Sequence, residues 1–321
     1  MRAWVIPTLA VLTTVGCNLD RDTSQPEPTP APKRRVVIPD DPAPPKPEPK
    51  PVAKVDLALG AGFEMRRPIQ DGRLTLIPIV AKFDAPGTKF ITLHDGMAKG
   101  LVTVREHAEW EVDTVQITNK SSEPLVVISG ELIVDAMQDR VTAENTIITA
   151  GLTRSVQVRC VEEDRDHGGS VFHAGNALAE LDLRRTVVHS EQENVWAKVK
   201  QINRRDGIST PTNTYRHAAH AQTKQDTRRQ ALLAALEARE DRRQIVGLAV
   251  AIDDKVIAVD RFATPELYRA LEPELLASYL PATTGPLVEG KKVGPADVRA
   301  LVKLAGATTV NDATTITLRP L

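Results

Sequence analysis

Eleven of the chain's 23 prolines fall between Pro26 and Pro51, and this run constrains the fold more than any other feature. Proline fixes φ and carries no amide hydrogen, so a segment this rich in it completes neither a helix nor a sheet ladder. Its remaining residues are mostly charged or small, and Val36-Val37-Ile38 is its one apolar cluster. That is too little apolar surface for a core. Residues 18–53 are therefore expected to be a disordered, extended tether, reaching at most about 110 Å at about 3.1 Å per residue. The chain divides into a leader at 1–17, this tether, and a folded region at 54–321.

In the leader, Arg2 supplies one positive charge, Ala3 to Val15 is mostly apolar, and Gly16-Cys17 follows, the layout of a secretory signal peptide. As a helix, Ala3 to Gly16 would span about 21 Å, short of the roughly 30 Å hydrocarbon core of a bilayer. A permanent transmembrane anchor is not expected. Thr14-Val15-Gly16-Cys17 resembles the lipobox of bacterial lipoproteins, with Thr14 in place of the usual leucine. The resemblance implies cleavage before Cys17 and lipidation of its thiol, where acyl chains at about 0.8 kcal/mol per buried methylene make a firm membrane anchor. The expected location is the cell envelope, lipid-anchored to a membrane, with the folded domain outside the cytoplasm. Asn18, rather than Asp, after the cysteine implies the outer membrane in a Gram-negative host.

The 41 basic and 42 acidic residues give a net charge of −1, and no basic stripe stands out, so nucleic acid is not an expected partner. Aromatic residues are 3% of the chain, which leaves few rings for stacking on bases or sugars. With Cys17 taken by lipid, Cys160, the other of two cysteines, has no intramolecular partner, and the domain is expected to fold without disulfides.

From residue 73 to 160 short apolar runs alternate with turn chemistry. Leu74 to Val80, Leu101 to Val104, Val112 to Thr118, Leu125 to Ile128, Ile147-Ile148 and Ser155 to Val161 read as strands, with Asn119 to Ser122 as a turn. Together they predict a sandwich-like or partly open sheet. After Gly175 the period changes to helical. Ala177, Leu178, Leu181 and Val188 form one stripe, Val195, Val199 and Ile202 a second around Trp196, and Gln225 to Arg239 a third. Ile245 to Ile252 and Val256 to Val259 read as a hairpin. Thr264-Pro265 is an N-cap with proline at the first helical position, opening a helix that Pro273 is expected to restart through Tyr279. Pro295 to Leu304 reads as a further helix and Thr314 to Leu318 as a last strand. The fold class is α+β, with a strand-rich N-terminal half and a helix-rich C-terminal half containing a β-hairpin.

Several strings together resemble a bacterial family, the ARG and Rhodanese-Phosphatase-superfamily-associated protein domain. They are Asn119 to Leu125, Gly130-Glu131-Leu132, Gln138-Asp139-Arg140-Val141, Cys160-Val161-Glu162, Arg184, Gln192, Val195-Trp196, Gly247, Asp260-Arg261-Phe262, Pro265-Glu266-Leu267, and Leu275-Leu276 with Ser278-Tyr279. The resemblance spans roughly residues 65 to 285. Two places depart from it. Family members carry glycines where this chain has Asp135-Ala136-Met137, and a Gly-Arg-Trp where it has Glu163-Asp164-Arg165-Asp166. The family's name records genomic company with ADP-ribosylglycohydrolase and rhodanese-phosphatase proteins, so the resemblance implies at most an affinity for nucleotide-derived or phosphorylated ligands.

Glu131, Gln138, Arg140, Glu162 and Gln192, with Trp196 nearby, are the residues of these strings that could line a ligand pocket. Arg140 would anchor a small anion, and the carboxylates Glu131 and Glu162 would act as acid or base. Cys160 is a candidate nucleophile, but in a strand it shares a face with Val156 and Val158, which favours a buried structural thiol. His217 and His220 stand three apart without a third ligand, so no metal is expected, and no motif calls for a cofactor. Gly285 to Lys292 imitates a phosphate-binding loop, but Lys292 stands where a hydroxyl is needed. The leading expectation is a membrane-tethered binding or sensor module. The rivals are an exported hydrolase-type enzyme using Glu131 and Glu162, with Cys160 as a further candidate, and a structural or protein-interaction envelope protein.

Overall fold

The computed structural model describes residues 62–82, 89–107, 111–165, 167–223, 226–253, 255–283, 296–297, 300, 309–311 and 314–318. The leader, the tether, the 285–292 loop and nearly all of the helix expected at 295–304 lie outside them.

The first half runs β1 (Phe63–Met65), β2 (Ile69–Asp71), β3 (Leu74–Ala81), β4 (Ile91–Thr92), α1 (Leu93–Ala98), β5 (Val102–Glu106), β6 (Thr114–Asn119), β7 (Leu125–Val127), β8 (Glu131–Asp135), β9 (Arg140–Thr142), β10 (Thr146–Ile148), β11 (Thr153–Cys160) and β12 (Val171–Leu178). Then come α2 (Leu181–His189), α3 (Gln192–Arg205), α4 (Arg216–Thr223), α5 (Asp226–Glu237), β13 (Ile245–Ile252), β14 (Lys255–Phe262), α6 (Pro265–Tyr279), β15 (Thr309–Asn311) and β16 (Thr314–Leu318). The class is α+β, as the residue pattern predicts.

The strand layer of the first half closes on itself. Six antiparallel strands form a barrel in the order β11-β6-β5-β12-β8-β9, sealed by β9 pairing with both β8 and β11. Closure removes the sheet edges that an open layer would leave unpaired. Val104, Val115, Ile117, Ile133, Val156, Val158 and Phe172 are among the residues of its packed core. The closing strand has three residues, too few for an alternating pattern to reveal. Beside the barrel β10, β7 and β4 make a small sheet, and Asn119 fastens the turn that follows β6. Its buried amide donates to the Glu123 and Ile148 carbonyls and accepts from Ser121.

The second layer is a sheet of seven strands in which β3, β13 and β14 are central. β13, Ile-Val-Gly-Leu-Ala-Val-Ala-Ile, is buried along nearly its whole length. Its Ile245, Leu248 and Val250 face α6 and its Val246, Ala249 and Ala251 face the opposite cluster. Apolar residues at successive positions suit a strand covered on both faces.

α6 starts where expected, with the Thr264 hydroxyl accepting from the Leu267 amide. Pro273 does not restart it; the helix is continuous. Leu267, Tyr268, Leu271, Leu275, Leu276 and Tyr279 all pack into the core, and that burial outweighs the one hydrogen bond a proline removes. Ala177 and Leu178 belong to β12 rather than to a helical stripe. Both are buried and precede the helix start at Leu181, so a strand end and a helix start mimic one period.

Candidate functional site

The six pocket candidates lie in separate surroundings. Arg140 turns into the end of the barrel. Its guanidinium pairs with Glu106 at 2.8 Å, lies 5.5 Å from the Phe172 ring centroid, and is 2% exposed. A side chain so placed holds a barrel end together, with its Nε buried and unpartnered. Gln192 is also consumed by backbone. Its side-chain amide donates to the Cys160 carbonyl at 2.7 Å and accepts from the Cys160 amide at 3.0 Å. These are the two groups that β11 can no longer give to β6, which begins at Thr114. Gln192 thus extends the ladder and docks the start of α3. Cys160 is buried, and burial pushes its thiol up, the opposite of what a nucleophile needs. Gln138 is half-exposed in the β8–β9 turn, and Trp196 is half-buried on α3 with its indole nitrogen unpartnered. The expected common pocket does not form.

Glu162 belongs to a clasp over the β8–β9 turn. Its carboxylate accepts from the Asp139 amide, from Arg165 and from Thr212. Burial raises its proton affinity, but these donors outweigh burial and hold it below the usual carboxylate range, which makes it a weak base. Asp139 accepts from Arg165, Arg216 and Thr214. Arg165 also donates to the Asp135 and Ala136 carbonyls. The turn beneath is strained: Asp135 has φ 74°, Ala136 φ 45°, and Asp164 beside Arg165 φ 57°. Such backbone costs an L residue on the order of 1–2 kcal/mol and suits glycine.

Glu131 lies elsewhere, where the barrel meets α1 and α6. One oxygen accepts from the Ile128 amide at 2.9 Å; the other is buried without a partner. Burial raises its proton affinity most, and Glu274 adds to this, while His94, the Ile128 amide and Arg184 oppose it; the result is a pKa of about 8. His94, on α1, faces Glu274 of α6 at 3.0 Å and the Leu132 carbonyl of β8 at 3.1 Å. Burial disfavours its charge, but Glu274 and then Glu131 outweigh burial and lift it to about 9. Glu274 also lines a cavity of about 20 Å³ with Asn176, Gln222 and Arg229, room for about one water. No substrate fits there. His94 and Glu274 carried no sequence signal, since neither lies in a motif and they are 180 positions apart.

Beside Glu131, Arg184 of α2 forms a fully buried ion pair with Asp260 of β14 at 2.9 Å. It also donates to the Ser129 carbonyl, and the Tyr279 hydroxyl donates to Asp260. Gly130, at φ 105°, leaves the space through which the Arg184 stem passes; a Cβ there would lie 2.7 Å from the Arg184 Cγ. One frame therefore locks β8, α2, β14 and α6.

Among the described residues, open volume lies along the α2–α3 hairpin. Thr186, Ser190, Asn194, Lys198 and Gln201 line a shallow space of about 330 Å³. Lys198 and Gln201 also line an adjoining one of about 240 Å³ with Asp182, Arg205 and Pro281. Among the described residues no group of three His, Cys, Asp or Glu could hold a metal ion, and no helix is long and apolar enough to cross a membrane. His217 and His220 are exposed on α4.

A closed barrel joined to a seven-stranded sheet by buried ion pairs defines a barrel-and-sheet α+β domain. Residues 62–318 match the ARG and Rhodanese-Phosphatase-superfamily-associated Protein domain, and the chain belongs to that family. No curated protein and no solved structure matches it. The strings that carried the resemblance are largely the frame itself, Gly130, Arg184, Asp260 and Tyr279, together with the Gln192 dock. Asp135, Ala136 and Asp164, at the two places where the resemblance implies a departure, have left-handed backbone, and Arg165 places its guanidinium in the clasp.

Proposed function

We propose that the protein is a lipid-tethered module of the cell envelope that binds a ligand or partner and does not catalyse. The observation that carries this reading is the fate of the candidate catalytic groups. Cys160 and Glu131 are buried, Glu162 is held ionised by three donors, and the cavity lined by Glu274 has room for about one water. The signal-like leader, the Gly16-Cys17 pair and the proline-rich tether support the envelope location. The polar groove along α2 and α3 has the volume of a small-ligand site, and Lys198, central to both of its spaces, is the natural contact for an anionic group.

Palmitate labelling and detergent partitioning of wild type and Cys17→Ser test the anchor. Wild type is expected in the detergent phase and the variant in water; aqueous partitioning by both removes the tether from the reading. For binding, the domain is screened for thermal stabilisation by nucleotides, ADP-ribose, sugar phosphates and small carboxylates. A stabilising ligand is expected to lose its effect with Lys198→Glu. Hydrolysis of a phosphoester, ester or glycoside by wild type that Glu131→Gln abolishes would replace this reading with an enzymatic one.

A further inference from the structure

We infer that the contact of α1 with β8 and α6 is a proton-operated fastening, and that loss of protons from Glu131 and His94 loosens α1 and α6 from the barrel. Geometry states the first half of the case. The two ring nitrogens of His94 face a carboxylate, Glu274, and a backbone carbonyl, Leu132. Both partners only accept, so both nitrogens must donate, and an imidazole does so only as the cation. His94 is 5% exposed, so this is a buried cation stitching α1 to the backbone of β8 and to α6. Glu131 lies within its field, with one donor for two oxygens. A buried carboxyl so poorly served is suited to the neutral form.

With Glu131 neutral, the positive His94 is balanced by Glu274 and the positive Arg184 by Asp260. Removing both protons leaves the buried Glu131 charged near Glu274, a second negative charge, with a neutral ring between the elements they belong to. Of the elements packed on α1 and α6, α5 brings one cation, Arg229, to the cavity that Glu274 lines, so the charge left uncompensated is chiefly that of Glu131. β4 and β7 carry no ionisable side chain. On β5 and β12, Arg105 and His173 are exposed and Glu106 is taken by Arg140. On α6, Glu272 is taken by Arg242 and Glu266 by Arg269. Asp95 of α1 is exposed, and only its amide is engaged, donating to the Thr92 hydroxyl that caps the helix. Glu274, a quarter exposed and beside a cavity with room for a water, gives protons a way in.

The direction of the response follows from the shifts. Glu131 is raised from 4.5 to about 8 and His94 from 6.5 to about 9. A group raised in the folded state contributes stability that is complete below its unfolded value and is lost as pH rises through the folded one. Each group influences the other, so they titrate as a pair, and the pair holds protons that the unfolded chain has released: the contact weakens as pH rises toward about 8 and 9.

The test is native-state hydrogen exchange of the full chain in mild detergent from pH 6 to 9, corrected for the base dependence of intrinsic exchange. The opening constants of α1 and α6 amides are expected to rise about tenfold or more between pH 7 and 9, and those of β13 and β14 to change less. Glu131→Gln, which keeps the shape and the acceptor for the Ile128 amide, is expected to flatten much of the rise. Flat wild-type opening constants, or a rise of equal size in Glu131→Gln, overturn the inference. So does an equal rise across α1, α6, β13 and β14, which would mark global alkaline unfolding. Should the variant fail to fold, the contrast between α1 and β13 in wild type decides alone.

Discussion

The barrel and the central sheet solve burial in opposite ways. β13 meets its neighbours with apolar side chains on both faces. The barrel closes its core of valines and isoleucines with charge, since Arg140 and Glu106 sit at its end and the clasp of Arg165, Arg216, Asp139 and Glu162 braces the turn outside. Where the two layers meet, polar groups are drawn inside: Arg184 with Asp260 fully enclosed, and His94 buried against the partly exposed Glu274. Apolar faces hold a sheet in place with little angular preference, whereas an ion pair removed from water holds one geometry and is costly when broken. The junction, rather than either layer, is therefore where a single substitution does most.

Asp260→Ala is expected to have the largest effect. It leaves Arg184 charged and enclosed and takes the acceptor from Tyr279, a loss of about 3–5 kcal/mol in denaturant unfolding. The double change Arg184→Met with Asp260→Leu should recover most of that loss. A loss below about 1 kcal/mol for the single variant would show that the junction is not the weak point. Arg140→Ala comes next, at about 2–3 kcal/mol, because Glu106 keeps some contact with solvent. The same variant leaving stability unchanged would mean that the barrel end is held by apolar packing like the sheet.

Gly247→Ala probes the sheet. Its Cβ would lie 2.1 Å from the Asp260 carbonyl oxygen, a backbone atom that cannot swing aside. Overpacking of this kind costs about 1–3 kcal/mol, and a neutral result would show that β13 and β14 slide apart more easily than their burial implies. The smallest effect has the opposite sign. Ala136→Gly relieves a left-handed alanine at φ 45° and should stabilise by about 0.5–1 kcal/mol after the entropy of the added glycine is deducted. A destabilised variant would mean that the Ala136 methyl matters more than its backbone strain.

The residues made legible what is local. β13 and β14 were visible because an apolar run bounded by Asp253-Asp254 has few other solutions, and the start of α6 because Thr264-Pro265 carries its own cap. The turn at Asn119 and the strands β3, β6, β7 and β11 followed from alternation and turn chemistry. Family strings could be recognised, but their role could not. Arg184, Asp260 and Tyr279 look like any polar residues until 76 positions of chain bring Arg184 onto Asp260. Barrel closure through three-residue β9, the continuity of α6 past Pro273, and the scattering of Glu131, Arg140, Glu162 and Gln192 into separate surroundings were all decided by tertiary packing. So was the pairing of His94 with Glu274. Propensity, periodicity and caps act within a few residues, and a sequence displays them directly. Burial, desolvation and ion pairing depend on which distant groups share a place, and only the folded chain determines that.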